Sequence, residues 1–254
     1  MTGAAQVGKA VWMIRLDALL ARNLACSRTA AARLLKDGRV EDDGGTVLEA
    51  DDRRRAIDEA TLPLAVRVDG EARTLVAAAH FLLNKPAGCV TALRDPVHRT
   101  AYELLEAAPL YPELRPVGRL DLDTTGLLLW TTEGAWVQRL THPKRNVPRT
   151  YQAALARPHE ALPADLALDD GHRPNIVALE PLARAALHPS LAVPADAAVF
   201  ASITVVGGAY HEVRRIFAAL GSHVLSLCRV GFGRLALPVD LAPGLYRPID
   251  ITDA

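Results

Sequence analysis

The chain is poor in cysteine, has no long apolar run and carries no net charge. Each lack closes off a class of protein. Its cysteines, Cys26, Cys89 and Cys228, are odd in number and far apart. That spacing excludes a disulfide framework and the paired ligands of a zinc site, and it predicts reduced, buried thiols in a cytoplasmic protein. No apolar stretch reaches the roughly 18 residues a membrane helix needs, so no membrane partner is expected. No apolar core precedes Leu16, and no signal peptide is read at the N-terminus. Basic and acidic residues cancel, 29 against 29. Nucleic-acid-binding domains are ordinarily basic, so this balance argues against such a partner unless the charge is unevenly spread. What remains is an ordinary globular composition, 50% apolar and 23% charged, in 254 residues, a length with room for two domains.

The most informative stretch is Gly118-Arg119-Leu120-Asp121-Leu122-Asp123-Thr124-Thr125-Gly126, followed by Leu127-Leu128-Leu129-Trp130-Thr131-Thr132. It reads as a polar loop bracketed by glycines that permit sharp turns, running into a strand covered on both faces. A loop anchored by a rigid strand is a usual place for chemistry. Asp121 and Asp123 fit three roles on residue type alone. They are oxygen ligands for a divalent metal, or a nucleophile beside a structural turn residue, or two solvated turn carboxylates.

The whole stretch is more specific than its two aspartates. It resembles the G-R-L-D-x-D-T-x-G-L-L-L-x-T signature of bacterial pseudouridine synthases, in the branch named after the small-subunit rRNA enzyme RsuA. The resemblance extends over nearly the whole chain. It implies an α+β protein: a small N-terminal α-rich RNA-binding domain at 14–75, then a catalytic domain at 79–254 with a mixed, mainly antiparallel sheet. Residues 1–13 are expected to be a disordered extension without function.

Several segments carry the resemblance. Residues 15–22 read as a helix with Leu16, Leu19 and Leu20 on one face, and Ser27 as the N-cap of a second helix over 28–36. Asp37-Gly38 ends that helix, and a strand pair about Asp43-Gly44-Gly45 follows. The order R-L-D-x-x-L, then S-R-x-x-A-x-x-L, then a D-G turn, is similar to a small RNA-binding domain of ribosomal proteins and tyrosyl-tRNA synthetases. By that resemblance Arg28, Arg33, Lys36 and Arg39 contact phosphates, which gives affinity and register rather than sequence choice. A linker is read at residues 70–78.

Asn84-Lys85-Pro86-Ala87-Gly88 matches the family's first motif, which packs beside the catalytic loop and makes Lys85 structural or RNA-adjacent. Arg149-Thr150-Tyr151 stands where the family has K-x-Y. The resemblance gives Tyr151 the role of stacking on the target base, with Arg149 in place of the lysine. Residues 158–200 are uninformative, and His159, His172 and His188 are expected at the surface. A helix is predicted over 210–220, with Val213, Ile216, Phe217 and Leu220 on one face and Gly221 closing it. It carries His211-Glu212-Val213-Arg214-Arg215, similar to the family's H-Q-(I/V)-(R/K)-R. Arg214 then pairs with the catalytic carboxylate, and Arg215 faces RNA. Glu212 departs from the usual Gln and is expected to add a carboxylate near the RNA surface. The Leu-Ala-Pro-Gly-Leu-Tyr-Arg-Pro ending at 241–248 favours the small-subunit branch.

The implied reaction isomerises a uridine in ribosomal RNA, most closely that of the small subunit or its assembly intermediate, to pseudouridine. It needs no cofactor and no metal. Asp121 is the catalytic carboxylate, as nucleophile at the sugar or as the base that removes a sugar proton. Arg119 braces the loop or meets a phosphate, and Asp123 holds the turn. The chain is expected to act as a monomer. Two other readings stay open: a metal-dependent enzyme using Asp121 and Asp123 together, and a non-catalytic RNA-binding assembly factor. Within the first reading, large-subunit rRNA and tRNA are the alternative substrates.

Overall fold

The structure is a computed structural model describing residues 13–254. Of the extension expected at 1–13, residues 1–12 lie outside the described residues, and Met13 belongs instead to the first strand. The chain divides into two compact units. Among the described residues, one comprises Met13–Ala79 together with Ala108–Pro112, and the other comprises His80–Ala107 and Glu113–Ala254.

In the smaller unit, β1 (Met13–Arg15) leads into α1 (Leu16–Asn23) and α2 (Arg28–Lys36). Ser27 caps α2 as its sequence position predicts, accepting from the Ala30 amide at 3.1 Å. The strands β2 (Val40–Asp42), β3 (Ala56–Asp58), β4 (Leu64–Val68) and β5 (Glu71–Leu75) follow. β1 pairs with β3, and β2-β4-β5 form an antiparallel sheet. Residues 71–75, read as linker, are therefore a paired strand. Their alternation was obscured by polar side chains, because only Leu75 of β5 is buried. The return strand expected near 46–48 is reduced to a single bridge, Glu41 to Val47. Leu16, Leu19, Leu20, Leu35, Val40 and Leu75 form the core of this unit.

The larger unit is built on one nine-stranded sheet. Its strands are β6 (His80–Lys85), β7 (Arg115–Val117), β8 (Thr124–Thr131), β9 (Pro148–Leu155), β10 (Asn175–Pro181), β11 (Val199–Val206), β12 (Val224–Phe232), β13 (Leu235–Ala236) and β14 (Tyr246–Pro248). The order is β10-β11-β9-β12-β8-β6-β14, with β13 on β12 and β7 on β8. All pairings are antiparallel except β12 with β8. Helix α3 (Gly134–Thr141) packs on β7 and β8, and α4 (Glu212–Ala219) on β12.

β8 is the centre, and every one of its residues is buried. Leu127, Leu128, Leu129 and Trp130 have no exposed surface. Burying each such side chain contributes roughly 1.5–3 kcal/mol, which fixes the strand and hence the loop that enters it. At Gly126 (φ +100°) the backbone of β12 comes so close that a Cβ would lie 2.9 Å from the Arg229 amide nitrogen. Only glycine admits that approach.

Candidate active site

The loop of residues 118–124 is held from one side by the segment that follows β6. The Lys85 ammonium is fully buried and donates to three carbonyl oxygens: Thr124 at 2.8 Å, Pro86 at 3.0 Å and Leu122 at 3.4 Å. The Gly88 amide donates to Leu122 O at 2.8 Å. The Thr91 hydroxyl donates to Leu120 O at 2.9 Å and lies 3.0 Å from the Leu120 amide. Burial lowers the Lys85 pKa from its usual value, partly offset by nearby negative charge that includes Asp121 and Asp123. A lysine whose donors all point inward has none left for a phosphate. Of the two roles left open for Lys85, structural or RNA-adjacent, its burial and these contacts support the structural one: it braces the loop.

From the other side comes α4. The Arg214 Nη2 lies 2.9 Å from Asp123 Oδ2, and its Nε lies 3.9 Å from Asp121 Oδ2. Its Nη1 donates to Val224 O at 3.1 Å, which fixes the guanidinium against β12. The Nη2 contact is a close ion pair without hydrogen-bond alignment, since that buried nitrogen has no hydrogen-bond acceptor. Asp123, expected to hold the turn, makes this ion pair instead. The turn is closed by backbone, Thr124 N to Asp121 O at 3.2 Å, and by Lys85 and Thr91.

A second neighbour of Asp121 escaped the sequence reading. His211 Nε2 stands 3.5 Å from Asp121 Oδ1 and carries charge only when protonated. His211 adopts a left-handed backbone (φ 49°, ψ 32°) at the N-cap of α4 and makes no side-chain cap bond. That conformation sends the imidazole to the loop. It was invisible in sequence because the histidine looks like one more residue of a helix motif.

Asp121, His211 and Arg214 line one cleft of about 730 Å³. Tyr151 lies in its floor, 9% exposed, with Ile203 and Arg229 as its strand partners. Arg149 lines it too. Its guanidinium donates to Gly207 O, lies 5.2 Å from the Phe232 ring, and has its pKa lowered by burial. Arg119 is exposed at the cleft.

Arg229 was not singled out either. It is 1% exposed, donates to Leu127 O at 2.7 Å, and leaves Nη2 without a partner. The available signal was an arginine inside the apolar run Leu227-Cys228-Arg229-Val230.

Other expectations need correction. Glu212 lines the cleft with its side chain almost wholly buried. It is 5% exposed and sits under Gly207, with Oε1 2.9 Å from His172 Nε2. His172, with 39% of its side chain exposed, lines the same cleft. His188 is buried, its ring nitrogen accepting from the Ser190 amide at 3.1 Å. Arg215 is held by Asp169 and, at 2.6 Å, by Asp170, so its charge is neutralised within the fold. In the smaller unit Arg28, Arg33, Lys36 and Arg39 are all exposed, but not equivalent. Arg39 is locked bidentately to Asp69 at 2.6 Å, and Arg28 reaches Asp17 at 3.2 Å.

The cleft thus holds a carboxylate on a braced loop, a guanidinium fixed opposite it and a tyrosine in its lining. Residues 79–219, more than half of the chain, match the family model of RNA pseudouridylate synthases. The chain belongs to that family. It is 36% identical over 241 residues to a ribosomal small subunit pseudouridine synthase A of Yersinia pestis, covering 93% of this chain and 94% of the relative. It is also 36% identical over 246 residues to the protein of the same name from Escherichia coli K12, covering 93% and 96%. A solved structure described as a pseudouridylate synthase superposes with a TM-score of 0.56 at 31% identity, covering 94% of this chain and 97% of that one.

Proposed function

We propose that this enzyme isomerises a specific uridine of small-subunit ribosomal RNA to pseudouridine, with Asp121 as the catalytic carboxylate. The observation that carries the assignment is the placement of Asp121: on a loop fixed by Lys85 and Thr91, with Arg214 opposite at 3.9 Å. Relatives alike over 93% of this chain, named for the small ribosomal subunit, support the substrate.

The reaction breaks the bond from ribose C1′ to uracil N1 and makes one from C1′ to C5. The C5 proton is lost and N1 regains one, so nothing is consumed and no cofactor is required. The uridine must first leave the stack, at a cost of a few kcal/mol. An ionised carboxylate then acts at the sugar, as nucleophile at C1′ or as base toward a sugar proton. The permanently charged guanidinium of Arg214 faces the Asp121 carboxylate at 3.9 Å and is its positive partner. Tyr151 holds the detached uracil against the cleft floor by stacking. Arg119 and Arg149 meet the RNA backbone at the cleft, and Arg28, Arg33, Lys36 and Arg39 of the N-terminal unit supply further phosphate contacts. A guanidinium already lies between Asp121 and Asp123, where a bridging metal would need to be. The enzyme acts as a monomer in the cytoplasm.

The test is pseudouridine mapping of ribosomal RNA by carbodiimide modification and primer extension, in a deletion strain complemented with wild type or Asp121→Asn. One small-subunit stop lost on deletion, restored by wild type and absent with the mutant is the expected result. A lost stop in the large subunit or in tRNA would move the substrate. Stops unchanged in all three RNAs would leave a binding protein.

A further inference from the structure

The described chain hides its aromatic side chains, with one exception. Tyr210 is 76% exposed, whereas every other described Phe, Tyr and Trp is buried or half-buried. A single exposed apolar side chain needs no explanation by itself. Tyr210 differs in what it touches and where it stands. Its ring is stacked on the His211 imidazole, centroids 3.9 Å apart and planes 15° apart. Both residues line the Asp121 cleft. The left-handed backbone at His211 is unusual for a non-glycine residue and arranges the pair. It points the imidazole toward Asp121 and leaves the phenol with one face on the imidazole and the other toward solvent.

We infer that the open face of Tyr210 is a stacking shelf for the nucleobase next to the target uridine. The inference rests on the pseudouridine synthase reading and extends it to a second base. Its physical reason lies in base extrusion. When the uridine leaves the stack, its neighbour loses a stacking partner. An aromatic face at the cleft rim replaces that partner, and any base is accepted because every base has a π-face. The shelf is tied to the chemistry through His211, whose Nε2 stands 3.5 Å from Asp121 Oδ1. Occupying the shelf thus positions the imidazole, and through it the carboxylate.

The experiment uses the full-length protein and an oligoribonucleotide carrying the mapped uridine as [5-³H]uridine, with tritium release as the readout. Tyr210→Ala is expected to lower kcat/KM by roughly five- to hundredfold, the range of one lost base–aromatic stack. Tyr210→Phe and Tyr210→Trp should restore it. An abasic nucleotide on one side of the uridine should slow wild type to the same extent and leave Tyr210→Ala no slower. Equal kcat/KM for wild type and Tyr210→Ala would overturn the inference. So would a Tyr210→Ala penalty that persists with abasic nucleotides on both sides. If wild type releases no tritium from this RNA, from total rRNA or from tRNA, the enzyme reading fails instead. The emission of Tyr210→Trp then decides the shelf: quenching by single-stranded RNA keeps it as an RNA contact, and no quenching removes it.

Discussion

Arg214 is closer to Asp123 than to Asp121, 2.9 Å against 3.9 Å. One guanidinium therefore serves two carboxylates, and the catalytic candidate holds the looser share. Asp123 is the more exposed of the two, with 64% of its side chain accessible against 34%. An exposed ion pair contributes little, about 0–1 kcal/mol. Asp123→Asn should accordingly lower the rate by no more than about tenfold. Asp121→Asn should abolish tritium release while the protein stays folded and binds RNA. EDTA should leave the wild-type rate unchanged. Equal damage from both substitutions, together with EDTA sensitivity, would establish a metal enzyme.

Lys85→Met removes three donors from carbonyl oxygens under the loop. Unpaired buried groups cost about 1–3 kcal/mol each, so a drop of several degrees in Tm is expected, with loss of turnover. The effect depends on pH. Burial puts the folded pKa of Lys85 below its ordinary 10.5, while the unfolded chain keeps the ordinary value. Between the two values the unfolded state binds more protons, so stability rises with pH there. The Tm advantage of wild type over Lys85→Met should therefore grow as pH rises toward the ordinary lysine value of 10.5. Calorimetry across that range checks the sign.

Gly126→Ala would drive a methyl group to 2.8 Å from Cys228 Sγ and 2.9 Å from the Arg229 amide. The backbone of β12 cannot yield without losing its parallel pairing with β8. A destabilisation of at least about 3 kcal/mol is expected from the clash and the positive φ together. Chemical denaturation would show it, and Gly134→Ala, where the added Cβ meets nothing within 4 Å, is the control.

Among the basic residues of the N-terminal unit, Arg33 and Lys36 are free to meet phosphates, whereas Arg39 is held by Asp69. Arg33→Ala and Lys36→Ala should each reduce the salt slope of RNA binding by about one. Arg39→Ala should reduce it less. Filter binding over a salt series distinguishes these outcomes, and equal slopes for all three variants would show that the Asp69 pair opens on binding.

Much of this protein was legible in its sequence because the signals are local. Four consecutive apolar residues after Gly126 mark a doubly covered strand, Ser27 caps α2, and the Val213–Leu220 spacing marks the buried side of α4. The residues Asp121, Tyr151 and Arg214 could be named because the motifs that contain them resemble those of a known family. Tertiary structure decided what those side chains touch. Lys85 and Arg215 look like solvated cations in sequence; one is buried under three carbonyls and the other spent on two aspartates. His211, His172 and Arg229 reach the cleft from three separate elements, and no spacing along the chain encodes that meeting. The sequence by itself determined the strands, the helices and the chemical groups on offer, because propensity and periodicity act over a few residues. Which of those groups face one another depended on packing β8, β12 and α4 together, a long-range outcome of burial that no short motif contains.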